Sequence, residues 1–177
     1  MNLKNMLLSV IVLVGSAAVL FGASAVLKIS ETEKRAEDRQ FVMEHLLPGC
    51  TEFTEETYEG EDANIIGVYK GTNGYVIETS VAGYVDDMTV MVGVDQEGAV
   101  TGLVVMDMAE TYGLGQGALD NVEFLSQFLG TKGTAEIGTD VDAMAGATVT
   151  SKSLAKAVNS ASAYVTGADI SSSATEW

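Results

Sequence analysis

Met88-Thr89-Val90-Met91-Val92-Gly93-Val94-Asp95-Gln96-Glu97-Gly98-Ala99-Val100-Thr101-Gly102-Leu103-Val104-Val105-Met106 reads as two β-branched, roughly alternating strands. Asp95 to Gly98 turns one strand into the other as a hairpin. Working back along the chain, Ile65–Lys70 and Gly74–Ser80 carry the same pattern, so four strands are predicted between residues 65 and 108. Forward of the hairpin the period changes. A helix is predicted at about Asn121–Leu129, with Asp120 and Glu123 as a capping-box-like start, Val122, Leu125, Phe128 and Leu129 inward, and Gly130 as terminator. The last helix, about Ser151–Val165, would bury Leu154, Ala157, Val158, Ala161 and Val165, with Thr150 as its N-cap. Strands grouped in the middle and helices around them predict an α+β domain with a central antiparallel sheet and flanking helices.

Composition bounds what such a domain can do. The chain has 177 residues, 47% of them apolar, with 25 acidic against 9 basic residues and a formal charge of −16. That length fits one modest domain plus an anchor. The charge excludes nucleic acid as a partner, because nothing here could neutralise a phosphate backbone. A surface this acidic also serves solubility. Cys50 is the sole cysteine, which excludes an internal disulfide and a cysteine-held iron–sulfur centre within the chain. His45 reads as a surface or packing residue, and neither a metal site nor a catalytic acid–base pair is predicted.

From Met6 to Leu27 the chain runs 22 residues without a charge. As a helix this segment is about 33 Å long, enough to cross a hydrocarbon core of about 30 Å. The rival reading is a cleavable signal peptide ending near Ala23-Ser24-Ala25, but the apolar run continues through Val26 and Leu27 and favours a single membrane span. Counting Lys28, Lys34, Arg35 and Arg39 places the C-terminal domain in the cytoplasm. The predicted organisation is an anchor over 1–28, a membrane-proximal helix and acidic linker over 29–64, the domain over 65–168 and a polar tail over 169–177.

Two glycine-bearing segments could carry chemistry. Glu110-Thr111-Tyr112-Gly113-Leu114-Gly115-Gln116-Gly117 follows the last strand, and its glycines permit close approach of the backbone to a flat ligand. Asp142-Ala143-Met144-Ala145-Gly146-Ala147-Thr148-Val149-Thr150 opens the last helix, where unpaired N–H groups and the helix dipole favour a phosphate. Either segment alone reads as a tight turn or a helix cap.

Together and in this order, the two segments resemble the FMN-binding domain family, over about residues 65 to 165. In that family an aspartate, a short spacer and Gly-Ala-Thr mark a threonine esterified to the phosphate of FMN, and a Glu-Thr-x-Gly-Leu-Gly loop packs against the isoalloxazine ring. The resemblance implies that Thr148 carries covalent FMN, that Gly146 and Ala147 let the backbone fold tightly around it, and that Asp142 is read during attachment. It further implies that Thr150 and the helix amides stabilise the phosphate, and that Glu110, Thr111, Gly113, Leu114 and Gly115 form the ring-side loop. The family usually has Ser or Thr before Gly-Ala-Thr, where this chain has Ala145. Attachment requires a separate flavin transferase, which in this family uses FAD as donor.

The single span plus this domain is similar to the FMN-bearing subunits of Rnf-type ion-translocating electron-transport complexes. The related sodium-translocating NADH:quinone reductases share the domain on a typically longer chain. The implied role is electron transfer within a translocase that moves electrons between ferredoxin and NAD or another acceptor, coupled to Na⁺ or H⁺ transport. The implied partners are other membrane and redox subunits and membrane lipid, with the FMN domain outside the cytoplasm, against the count of basic residues. Two alternatives stay open on the residues alone: a stand-alone extracytoplasmic FMN protein, and a flavin-free anchored scaffold whose Gly-Ala-Thr is only a helix cap.

Overall fold

The structure, a computed structural model, describes residues 36–107 and 121–168. The chain divides into two compact units, Met1–Phe41 and Val42–Trp177. Residues 36–46 are helical (α1). The strands β1 (Thr54–Glu56), β2 (Ile65–Lys70), β3 (Gly74–Ala82), β4 (Asp87–Asp95) and β5 (Val100–Asp107) follow, then the helices α2 (Val122–Ser126) and α3 (Thr148–Thr166). The five strands form one antiparallel sheet in sequence order, β1-β2-β3-β4-β5. The α+β class and the antiparallel sheet are as the sequence predicted. The four expected strands all form, and β3 and β4 extend a residue or two beyond their expected ends.

Alternation in these strands sorts side chains onto two buried faces. Ile77, Val81, Met88, Val90, Val92 and Val94 point to one face and join Leu154, Ala157, Val158 and Ala161 of α3 in the main core. Val76 and Met91 point to the other with Tyr69 of β2, where Met43, Leu46, Leu47 and Cys50 cover them. The second face owes its close cover to missing side chains. Gly93 of β4 and Gly102 of β5 lie opposite each other in the register, and the backbone of Leu46 rests over both. The hydroxyl of Thr101 donates to the Leu46 carbonyl.

Several expectations shift. Within the stretch expected as a membrane-proximal helix and acidic linker, residues 54–56 form β1, which pairs with residues 68–70 of β2, and Leu46, Leu47 and Cys50 pack on the sheet. The acids of this stretch are compatible with a strand because it lies at the sheet's edge; Glu56 there meets Lys70 at 3.3 Å. Around the membrane-proximal helix, Leu46 and Leu47 are buried while Phe41 is exposed. The helix expected over Asn121–Leu129 shortens to five residues followed by turns, and this changes which residues face inward. Phe124 and Phe128 are buried edge-to-face, whereas Val122 is 79% exposed and Leu129 is half exposed. Its N-cap is Asn121, whose side chain accepts from the Phe124 N–H. The last helix starts earlier than expected: Ala147 is its N-cap, and Thr150 is buried inside the first turn. No helix among the described residues is long and apolar enough to cross a membrane, and the predicted span Met6–Leu27 lies outside them.

The close approach of Leu46 to Gly93 makes a direct prediction. A methyl at Gly93 would meet the Leu46 carbonyl, which is backbone and cannot rotate away, and the Thr101 hydroxyl, both well inside van der Waals contact. Gly93→Ala is expected to cost about 1–3 kcal/mol of stability, as overpacked sites do, measured by denaturant unfolding of the full chain. The solvent-facing Thr139→Ala should stay within about 0.5 kcal/mol of wild type.

Candidate functional site

Thr148 is the first residue of α3, and its side chain is exposed. Its position follows from how α3 is seated. Leu154, Ala157, Val158 and Ala161 are fully buried, and small residues such as Ser151, Ser153 and Ala155 share that face, letting the helix lie close to β3 and β4. The Ser153 hydroxyl reaches the Ala82 carbonyl at the end of β3 and the Val149 carbonyl (3.0 Å). The helix N-terminus is thereby held beside the β3–β4 hairpin. β5 ends at the same side of the sheet, since Asp107 pairs with Thr89.

The turn entering α3 is tight. Gly146 sits at φ +79°, a left-handed conformation suited to glycine, and the Ala147 N–H donates to the Met144 carbonyl at 3.0 Å. The first helical bond runs from the Ser151 N–H to the Ala147 carbonyl at 2.9 Å. Ala147 offers no side-chain acceptor to the first-turn amides, and that turn holds no carboxylate. Most helix starts have a Ser, Thr, Asp or Asn cap in this place. Here the place is open to an anion, so the residues present fit the phosphate of FMN. Lys152 lies one turn on from Thr148, on the same side of the helix by the i, i+4 rule.

The segment leading to this turn is fixed at two points. Asn159, buried on α3, makes both amide bonds to the Ala135 backbone: its oxygen accepts from the Ala135 N–H (2.9 Å) and its NH₂ donates to the Ala135 carbonyl (3.0 Å). Gln127, the C-cap of α2, accepts from the Asp142 N–H at 2.8 Å. Asp142 itself is exposed. The structure thus gathers Asp142, Gly146, Ala147, Thr148 and Thr150 at one helix start. Glu110, Thr111, Gly113, Leu114 and Gly115 lie outside the described residues.

Sequence reading missed Gln127, Asn159, Ser153 and Lys152. Three of them act on partners 15 to 71 positions away, which no local pattern marks. Lys152 alone had a readable signal, its i+4 spacing from Thr148. Elsewhere, a cleft of about 380 Å³ lies between the β2–β3 turn and the C-terminal part of α3, lined by Lys70, Thr72, Tyr75, Gln96 and Tyr164. Glu56 beside it raises the Lys70 ammonium above its ordinary range, by hydrogen bond and charge, and burial raises the Tyr164 phenol. This cleft is at the far end of α3 from Thr148. Among the described residues no cluster of metal-ligating side chains occurs.

Comparison with known proteins gives one family match and two similar chains. The FMN-binding domain model matches residues 83–163, which include the whole Asp142–Thr150 segment. The chain is 28% identical over 183 residues to the G subunit of the ion-translocating oxidoreductase complex of Methanosarcina acetivorans, an alignment that covers 93% of this chain and 95% of that one. It is 32% identical over 95 residues to the G subunit of the Na⁺-translocating ferredoxin:NAD⁺ oxidoreductase complex of Acetobacterium woodii, covering 49% of this chain and 46% of that one. The chain is similar to these G subunits.

The Asn159 clamp can be tested on stability. Asn159→Ala orphans a buried N–H and carbonyl of Ala135, so the variant should lose about 1–3 kcal/mol of stability per stranded group. Denaturant unfolding of the full chain in detergent measures it, and an unchanged midpoint would show that the clamp contributes nothing.

Proposed function

We propose that this chain, which matches the FMN-binding domain model over residues 83–163, is a membrane-anchored electron-transfer subunit carrying FMN covalently on Thr148. It would work within an Rnf-type ion-translocating oxidoreductase, passing electrons between ferredoxin and NAD or another acceptor, coupled to Na⁺ or H⁺ movement. The names of its relatives support the complex. The observation that carries the linkage is an exposed Thr148 hydroxyl at the start of a helix whose cap offers no acceptor, directly after a left-handed Gly146.

In the attachment step the Thr148 hydroxyl oxygen attacks the FMN-side phosphorus of FAD, the pyrophosphate bond breaks, AMP leaves and the hydroxyl proton is released. A hydroxyl is a poor nucleophile without activation, so a flavin transferase supplies that activation. In the product the first-turn amides of α3, the Thr150 N–H among them, with Lys152 one turn on, favour the phosphate's negative charge; the Thr150 side chain itself is turned into the core. Gly146 and Ala147 keep side chains away from it, and Asp142 is the residue the transferase reads. Glu110, Thr111, Gly113, Leu114 and Gly115 are the ring-side loop; in support, they begin three residues after β5, which ends on the Thr148 side of the sheet.

Bound FMN supplies one-electron transfer, and an ester at its phosphate leaves the isoalloxazine ring unmodified for that chemistry. The span Met6–Leu27 would hold the domain against the lipid bilayer, single-pass, with the flavin outside the cytoplasm and beside other membrane and redox subunits of the complex.

Denaturing electrophoresis with ultraviolet detection tests the linkage. Wild-type chain matured with a flavin transferase should give a fluorescent band, and Thr148→Ala should give none. A dark wild-type band would favour the flavin-free scaffold. A bright chain that purifies without other membrane subunits would favour the stand-alone electron carrier.

A further inference from the structure

Gln127 belongs to neither glycine-bearing segment, yet its side chain touches one of them. Its oxygen accepts from the Asp142 N–H at 2.8 Å across 15 residues of chain. Gln127 is itself well placed to hold something. It closes α2 with its own N–H directed at the Phe124 carbonyl, and Phe124 and Phe128 on either side are buried in the main core. A rigid base therefore presents a carboxamide oxygen outward to the loop.

The loop needs such a hold. Val141 just before it is buried, and Ala147 just after it is buried, with Met144 half-buried between them. Asp142, Ala143, Ala145, Gly146 and Thr148 are all exposed, which is the face an external enzyme would meet. The backbone bond from Ala147 to Met144 secures the end of the loop nearest the helix, and Gln127 orients the Asp142 peptide at its beginning.

We infer that Gln127 is a positioning residue for flavin attachment: by accepting from the Asp142 N–H it fixes Asp142 relative to Thr148, so the transferase meets the segment already ordered. The inference rests on the assignment of Thr148 as the flavin-bearing residue. Its physical content is preorganisation, in which ordering of the loop is settled before the enzyme arrives. Losing a single hydrogen bond of this kind should shift the loop's local ordering equilibrium about fivefold, and the attachment rate with it. It should hardly move global stability, because neither partner is a core side chain.

The test compares initial rates of in-gel flavin fluorescence for the full-length chain matured with a flavin transferase and FAD, as wild type, Gln127→Met, Gln127→Glu and Thr148→Ala. Methionine keeps the reach but lacks the acceptor, and glutamate keeps an acceptor oxygen. Attachment slowed about fivefold in Gln127→Met and restored in Gln127→Glu is the expected result. Equal rates for wild type and Gln127→Met would overturn the inference. So would equal slowing in both variants, which would mark a steric effect. Persistent fluorescence in Thr148→Ala would instead overturn the underlying assignment, and is distinguishable because it does not depend on residue 127.

Discussion

Everything at the candidate site depends on how α3 is seated on the sheet. Leu154, Ala157, Val158 and Ala161 are fully buried against Ile77, Val90, Val92 and Val94. Each large apolar side chain buried this way contributes about 1.5–3 kcal/mol relative to exposure, so the register of the helix on the sheet is strongly set. Thr148 lies six residues before Leu154, about 9 Å along the axis. The core therefore fixes where the helix begins and which of its residues face outward. Thr150, two positions on, is turned inward by the same rotation that turns Thr148 outward. A single hydroxyl is thus offered to solvent at a helix start full of hydroxyl residues.

Seating one helix in a fixed register needs a sheet that does not flex beneath it, and the second covered face supplies that. An antiparallel sheet of this size commonly leaves one face wet. Here Met43, Leu46, Leu47 and Cys50 close the other side, and they can do so because Gly93 and Gly102 remove two side chains at paired register positions. Strands β3 and β4 are paired over nine positions without a bulge, while the register shifts fall on their outer neighbours, in the β2–β3 and β4–β5 pairings. The unbroken pair is the one that carries α3.

What the sequence disclosed follows from the range of each interaction. The four strands were legible because β-branched alternation is local, and the buried positions of α3 were legible because its 3.6-residue period runs through most of the helix. β1 was not, since three residues with two glutamates make a strand only by pairing with Lys70, Tyr69 and Val68. The short α2 misled because Val122 and Leu129 fit a helical stripe that the chain abandons after Ser126. At the site, Gly-Ala-Thr was visible as a motif, whereas Asn159 on Ala135 and Gln127 on Asp142 join residues far apart in sequence. The cap was misplaced for a related reason. Thr150 has the right chemistry for capping, but burial of the helix face decides the start, and it puts Ala147 there.

A tension exists between this helix start and the charge of the chain. A protein with a formal charge of −16 repels anions over most of its surface. A flavin phosphate held only by helix amides would gain a modest attraction, worth about 0.3–1 kcal/mol per favourable charge at an exposed helix end, against that field. Such a balance yields weak retention. In the proposed linkage the phosphoester removes retention from the electrostatic balance altogether. The amides and Lys152 then need only orient the phosphate, and the acidic surface is left free to serve solubility and contact with partners. On this argument the proposed covalent bond at Thr148 would answer the acidity of the chain, and an α3 start lacking both carboxylate and side-chain cap is the local exception that would let it form.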